Sequence, residues 1–380
     1  MSAAPRRLDV DVAIIGAGMV GTSAALALRT AGLSVAIFDK GFCGAGASGV
    51  NFGGVRRQGR PMVQLALSMR AHRVWQALAA RIGIDGEFVA SGHLKLARTE
   101  ADMASLEAYA AQAAHEGLAL ELLGPNELRA RFGWISNDIV GGSLSPGDGH
   151  ANPRLVAAGF GAAARRAGAQ MFEQAAILGL TRTGAGFALE TATGLRITAR
   201  HVVNSAGAWA GRFAADAGEA VPLDRIYPSM IVTEPLPPQL TVNIGIEGGG
   251  IYARQVARGN CIVGGQRGAA LADADFSRPT AGGMRGIMAV TAALFPGLGH
   301  AQVIRAWTGT EGALPDSQPV LGHSATMPGL VHAFGFAGAG FQIAPGVGEV
   351  VADLVQTGTT QTPIAAFSIQ RFVPGPIPGA

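Results

Sequence analysis

Residues 9–15 carry Val10, Val12, Ala13, Ile14 and Ile15 almost without interruption. A short run that apolar fits a strand buried on both faces of a parallel sheet. Residues 20–31 follow, rich in Ala and Leu, and end at Gly32, a residue suited to closing a helix. Residues 33–38 turn apolar again and read as a second strand. Together these make a βαβ unit of about 30 residues. Further on, the pattern predicts helices over 61–81, 100–116 and 125–131. Another runs from the cap-and-first-turn pair Asn152-Pro153 to about 167. Strands are expected at 88–97, 170–180, 186–192 and 196–203. Residues 226–265 alternate in short runs broken by Pro235, Pro237, Pro238 and glycines, which suggests an antiparallel sheet. A strand at 330–336 and a helix at 345–356 bring back βα character near the end.

Composition changes this picture little. The chain has 380 residues, 48% hydrophobic and 14% charged, which favours a large buried core over a disordered chain. Its 56 glycines follow no three-residue period, which excludes collagen. A net charge of +3 without blocks of like charge gives no nucleic-acid footprint. Cys43 and Cys261 match no disulfide or zinc framework, and no metal-ligand cluster stands out. Residues 1–7 do not read as the start of a signal peptide, and no uncharged stretch of about 18 residues reads as a membrane span. A reducing, cytoplasmic setting is expected. The glycine-rich stretch 41–59 is too long for a plain connector and is expected to be functional.

The first chemistry lies in Gly16-Ala17-Gly18-Met19-Val20-Gly21, a G-x-G-x-x-G between strand and helix. Gly16 permits the tight turn, Gly18 lets backbone approach a pyrophosphate, and Gly21 lets the helix pack on the strand. The helix N-terminus offers N–H groups and partial positive charge to phosphates. Asp39, at the end of the second strand, is placed to bond a ribose hydroxyl. This motif alone does not separate FAD from NAD; its position near the N-terminus leans towards FAD.

Three further segments resemble the D-amino-acid-oxidase-like superfamily, which includes glycine oxidase, sarcosine oxidase and flavin subunits of opine and proline dehydrogenases. They are 44–56 (GAGASGVNFGGVR), 202–209 (VVNSAGAW) and 335–346 (GFAGAGFQIAPG). The resemblance implies non-covalent FAD held by the 16–21 turn, Asp39, Lys40, Ser48, Asn51, Gly53, Gly54, Val55, Ile177, Ala206, Gly207, Trp209, Gly309, Gly338, Ala339, Gly340, Phe341 and Gln342. It implies an α/β fold: a discontinuous Rossmann-like FAD-binding domain with a parallel sheet (1–82, 146–216 and 306–380). Inserted into it is a mainly antiparallel β substrate domain of α+β type (83–145 and 217–305).

The implied reaction is oxidation of an amine or amino-acid C–N bond. A hydride passes from the carbon next to nitrogen to flavin N5, and the imine then hydrolyses. Electrons would go on to oxygen, a quinone or a partner subunit, and assembly into an oligomer is compatible with the resemblance. Members often carry W-x-G-x-R-P, whose Arg grips a substrate carboxylate. Here the segment reads Trp307-Thr308-Gly309-Thr310-Glu311-Gly312. Glu311 repels a carboxylate and suits an amine, unless it bonds local backbone or an Arg. Sarcosine-oxidase-like members place Lys where this chain has Gln342. Arg56, Arg57 and Arg254 are the replacement carboxylate partners, and Tyr252 lies where relatives place an active-site Tyr. Arg56, Tyr252, Glu311 and Gln342 are therefore the catalytic candidates. Secondary amines such as opines or N-alkyl amino acids are favoured. The alternatives are a primary D-amino-acid or glycine oxidase, or a flavin subunit with little activity alone.

Overall fold

The computed structural model describes residues 6–184, 186–271 and 276–372. Strand Arg7–Ile15 lies at the centre of one sheet, flanked in parallel by Val35–Phe38 and Arg196–Asn204. The sheet extends to Gln170–Phe172 on one side and to Leu330–Phe334 and Val320–His323 on the other. The N-terminal half of Arg196–Asn204 also pairs with the hairpin of Gly186–Thr191 and Ile177–Thr183. The unbroken apolar run at 9–15 has its reason here. Val12 and Ile14 pack under helices Met19–Thr30 and Gly340–Thr357, while Val10, Ala13 and Ile15 face Phe187, Ile197 and Phe213.

Helix Gly340–Thr357 begins five residues before the expected 345, so Pro345 sits in its second turn. Tertiary contacts override the usual placement of proline at a helix start. Trp75 Nε1 donates to Gln342 O at 2.7 Å, and Ser23 Oγ to Pro345 O at 3.3 Å. The helix is wedged between two others at backbone distance. A Cβ on Gly346 would come within 2.8 Å of Ala71 N, and one on Gly348 within 2.7 Å of Ala24 N. The expected 61–81 helix is two, Met62–Gln76 and Leu78–Ile82, broken at Ala77.

The second sheet runs Val303–Thr308, Pro228–Pro235, Asn260–Arg267, Tyr252–Gln255, Asn243–Ile246, His93–Ala97, Gly141–Ser145, Glu121–Leu123. Every pair is antiparallel except Asn243–Ile246 with His93–Ala97. Its first strand crosses the expected boundary at 305/306. Helix Ala281–Leu294, absent from the sequence pattern, covers one face with Ile287 and Leu294 among Leu94, Leu96, Leu144, Ile244, Ala253 and Val263. Strand alternation turns the other residues of these strands the opposite way: His93, Lys95, Ser143, Ser145, Asn243, Tyr252 and Arg254. This polar face covers the 50–60 loop. Gln58 Nε2 donates to Ser143 O (2.8 Å), Arg254 Nε to Phe52 O (2.8 Å) and Trp307 Nε1 to Val50 O (2.7 Å).

The close helix packing can be tested directly. Gly348→Ala should cost about 1–3 kcal/mol, because backbone on the facing helix must move; an unchanged Tm would contradict the close contact. A second prediction concerns His93 and His150. Burial, aided by Arg56 and Arg254 respectively, pushes their pKa values down to about 3 and about 4. Both lie below the ordinary value near 6.5, so the unfolded chain binds more protons in that window. Stability should therefore fall as pH drops from about 6.5 towards 4. His93→Asn should lose less stability than wild type between pH 7 and 4.5 by urea melts. Equal losses would show that His93 is not part of the acid sensitivity.

Candidate active site

The dinucleotide end is built from backbone packed on backbone. Gly16 has φ +107°, and a Cβ there would overlap Ser205 O; one on Gly21 would overlap Gly16 O. The Asp39 carboxylate ties the turn together, with Oδ2 accepting from Ala17 N and Oδ1 from Gly41 N, both at 2.7 Å. Each oxygen keeps a further lone pair for a ribose hydroxyl. Ser48 Oγ accepts from Met19 N at 2.9 Å and would touch a Cβ on Gly18, so the 44–56 loop sits over the helix N-terminus beside Val20. Asn51 shapes that loop: it donates to Ala47 O and Ser48 O and accepts from Gly53 N. Gly54–Val55 then pairs with Gly149–His150. Lys40 lies 3.5 Å over the Trp209 ring. Ile177 is buried in the core with Phe38 and Ala206.

FAD fits this cradle. Gly207 and Gly338 have φ +57° and +66°, and a Cβ at either would meet open space. Both flank the C-terminal strand ends and the helix N-terminus, where a dinucleotide binds in open α/β sheets. Gly309 lies against Val50, Ala339 is buried, and Gly340 starts the helix in which Phe341 packs 5.1 Å from Trp75. A surface hollow of about 600 Å³ lined by Arg7, Asp9 and Glu190 lies at the opposite, N-terminal end of the central strand and has no part in this site.

At the other end, opposite charges hold the Gly338 peptide. Its N–H donates to Glu311 Oε2 at 2.8 Å, and its carbonyl accepts from Arg60 Nη1 at 2.9 Å. Arg60 also donates to Arg56 O, and Tyr109 Oη donates to Arg60 O. Sequence reading missed Arg60. The signal was present: residues 41–60 hold three Arg and no acid, so their partners had to come from afar. Arg57 finds Asp148 at 2.8 Å, whose fully buried carboxylate also accepts from the backbone N–H groups of Arg57 and Gln58. Arg254 is spent on Phe52 O, and burial lowers its pKa to about 10. Arg56 donates to Gln58 O at 2.6 Å and has no acid within ion-pair reach among the described residues.

Arg56, Tyr252 and Glu311 share a telling combination. Each keeps part of its surface accessible, yet desolvation is the largest influence on its ionisation. Arg60 feels the charges of both Arg56 and Glu311, and Tyr252 feels that of Glu311, so the four side chains lie close together. Burial raises the Tyr252 phenol, with the Glu311 charge adding to it. Burial raises Glu311, while the Gly338 N–H and Arg60 pull it back. The Tyr252 ring meets Phe52 edge-on at 4.7 Å.

Gln342 is a correction. Its Oε1 accepts from Ser68 Oγ (2.7 Å) and its Nε2 donates to Ser68 O (3.0 Å), so the fully buried amide is consumed by helix Met62–Gln76. A buried amide must be satisfied, and here the neighbouring helix does it. Its side chain does not join Arg56, Tyr252 and Glu311. Among the described residues no cluster of His, Cys, Asp or Glu is arranged for a metal, and no helix is long and apolar enough to cross a membrane.

Residues 11–354 match the family described as FAD dependent oxidoreductase (DAO). Glycine oxidase of Geobacillus kaustophilus is 31% identical over 96% of this chain and 97% of its own length. An opine oxidase subunit of Rhizobium meliloti is 27% identical over 96% and 98%. The crystal structure of the G. kaustophilus glycine oxidase superposes with a TM-score of 0.90 over 97% of this chain and 100% of that one, at 27% identity. That of L-proline dehydrogenase from P. horikoshii gives 0.88 over 97% and 98%, at 25% identity. With the fold, the glycine cradle and the match over nine-tenths of its length in agreement, this chain belongs to the DAO family of FAD-dependent oxidoreductases, and FAD is its cofactor.

Proposed function

We propose that the chain oxidises the C–N bond of an amine bearing a carboxylate, with secondary amines such as opines or N-alkyl amino acids preferred. The observation that supports this reading is a pair of opposite charges, Arg56 and Glu311, both close enough to Arg60 to act on it. Arg56 is the least committed of the three replacement arginines, since Arg57 serves Asp148 and Arg254 serves the 52–53 backbone. Its guanidinium suits two-pronged binding of a carboxylate. Glu311 takes the place of the Arg that primary amino-acid oxidases of this family use, so the carboxylate grip moves from strand to loop. In this reading segments 1–82, 146–216 and 306–380 hold FAD without a covalent bond, and 83–145 and 217–305 roof the substrate. Bound FAD supplies the two-electron acceptor beside the Gly338 loop. The protein orients the substrate and excludes water, and the imine hydrolyses after release.

A second reading, a flavin subunit that passes electrons to a partner, has one observation in favour. Edge strand Val303–Thr308 leaves Val303 and Ile304 exposed, an apolar edge of the kind proteins usually cover. The R. meliloti relative is itself named as a subunit.

Anaerobic mixing with a panel of amines decides between these. Sarcosine or an N-(carboxyalkyl) amino acid should bleach the flavin faster than glycine or D-alanine. Bleaching by the primary amino acids alone would overturn the preference, and bleaching by no amine would overturn the reaction. Arg56→Lys should raise KM for a carboxylate-bearing amine by about 10- to 100-fold, the loss expected for a charge-assisted pair. An unchanged KM would remove Arg56 from the substrate site.

A further inference from the structure

We propose that Glu311 is a catalytic residue, whose Oε1 takes the proton from the substrate ammonium. The inference rests on the amine-oxidation reading above. A C=N bond forms from the nitrogen lone pair, and an ammonium has none to give. A secondary aliphatic amine with a pKa of about 10, near that of the Lys side chain, is about one part in a thousand free base at pH 7. A desolvating cavity helps, but it also repels the cation it must admit. A carboxylate in the wall answers both needs, since it attracts the cation and then accepts its proton.

Glu311 has the geometry for this. The Gly338 N–H holds Oε2 at 2.8 Å, which fixes the orientation of the carboxyl group. Oε1 has no hydrogen-bond partner among the described residues, and Glu311 is only half-buried, so that oxygen is open to a ligand. The charged and titratable groups that act on it are Arg60 from the 56–61 loop and Tyr252 from strand Tyr252–Gln255. On its own strand pair the residue opposite is Ile226, which is apolar. Burial of the carboxyl raises its proton affinity towards the working range of a base. Arg60 limits that rise, and its bonds to the Gly338 and Ala339 carbonyls keep it from closing onto Glu311 as a full ion pair.

The step balances. One ammonium N–H bond breaks, and the proton goes to Oε1 as the carboxylate becomes a carboxylic acid. The freed lone pair forms the C=N bond of an iminium while the C–H bond breaks and its hydrogen leaves with both electrons, as hydride, to the bound cofactor. Glu311 then returns the proton to solvent as product departs.

The test follows flavin reduction by sarcosine in stopped flow from pH 6 to 10, for the holoenzyme and for Glu311→Gln and Glu311→Asp. Wild type should reduce well at neutral pH. Glu311→Gln should be about 100-fold slower at pH 7, a usual size for a lost general base, and should recover as pH approaches the pKa of the amine. Glu311→Asp keeps a carboxylate and should retain the neutral-pH profile at a lower rate. A second readout needs no turnover. Binding of 2-aminoisobutyrate, which has no hydrogen on the carbon next to nitrogen, should release about one more proton to buffer in Glu311→Gln than in wild type by calorimetry. If Glu311→Gln keeps the wild-type pH profile and proton count, the proposal fails. If Glu311→Gln does not retain flavin, the Glu311→Asp profile decides: a shift to the amine pKa overturns the role. Failure of wild type to be reduced by any amine at any pH would instead overturn the reaction proposed above.

Discussion

Main chain lying on main chain, with no side chain between, is the constraint on which this molecule depends. At Gly16 and Gly21 the first turn, the following helix and the Ser205 carbonyl leave no room for a methyl group. At Gly348 the last long helix meets the first in the same way. These contacts draw the C-terminal ends of Arg7–Ile15 and Arg196–Asn204, the helix N-terminus at Met19 and the loop before Gly340 into one place. The glycine turn at 16–21 and the loop before Gly340 are thus set by one packing arrangement, although more than 300 residues separate Gly16 from Gly338.

The second organising feature is how buried charge is handled. Arg56, Arg57 and Arg60 enter the interior on a segment without an acid, and each finds a different solution. Arg57 takes Asp148, Arg60 takes the carbonyls at 338–339 with Glu311 close by, and Arg56 has only the Gln58 carbonyl. An unpaired buried cation is expensive, so each of the three is met by a carboxylate or at least a carbonyl. One acid that acts on Arg60 is Glu311, which comes from a strand about 250 residues further along the chain.

The elements most legible in the sequence were those whose patterns come from local rules. The 9–15 strand, the Gly16–Gly21 turn, the Asn152 cap and the antiparallel character of 226–265 all read directly, because periodicity and cap chemistry act over a few residues. Pro345 misled by the same rules: a proline marks a helix entry unless packing against Trp75, Ser23 and Ala71 makes an earlier start more favourable. Helix Ala281–Leu294 escaped notice because Gly282, Gly283 and Gly286 blur a helical pattern that burial against the second sheet restores. Gln342 looked available from its place in the glycine loop, yet the residue that claims it, Ser68, lies 274 positions away.

By itself the sequence determined the family and its FAD, the two-sheet plan and the chemical types on offer along the 44–60 segment. Those are written in residue identity and short spacing: which glycines can turn, which runs can be buried, which acids and bases exist. Only the tertiary structure decided which of the offered groups are free. Hydrogen bonds and ion pairs across distant segments engage Arg57, Arg254 and Gln342, while Arg56 has no acid within ion-pair reach and one oxygen of Glu311 no hydrogen-bond partner among the described residues. Whether a polar group is spent or available depends on its partner in space, and no local pattern carries that information.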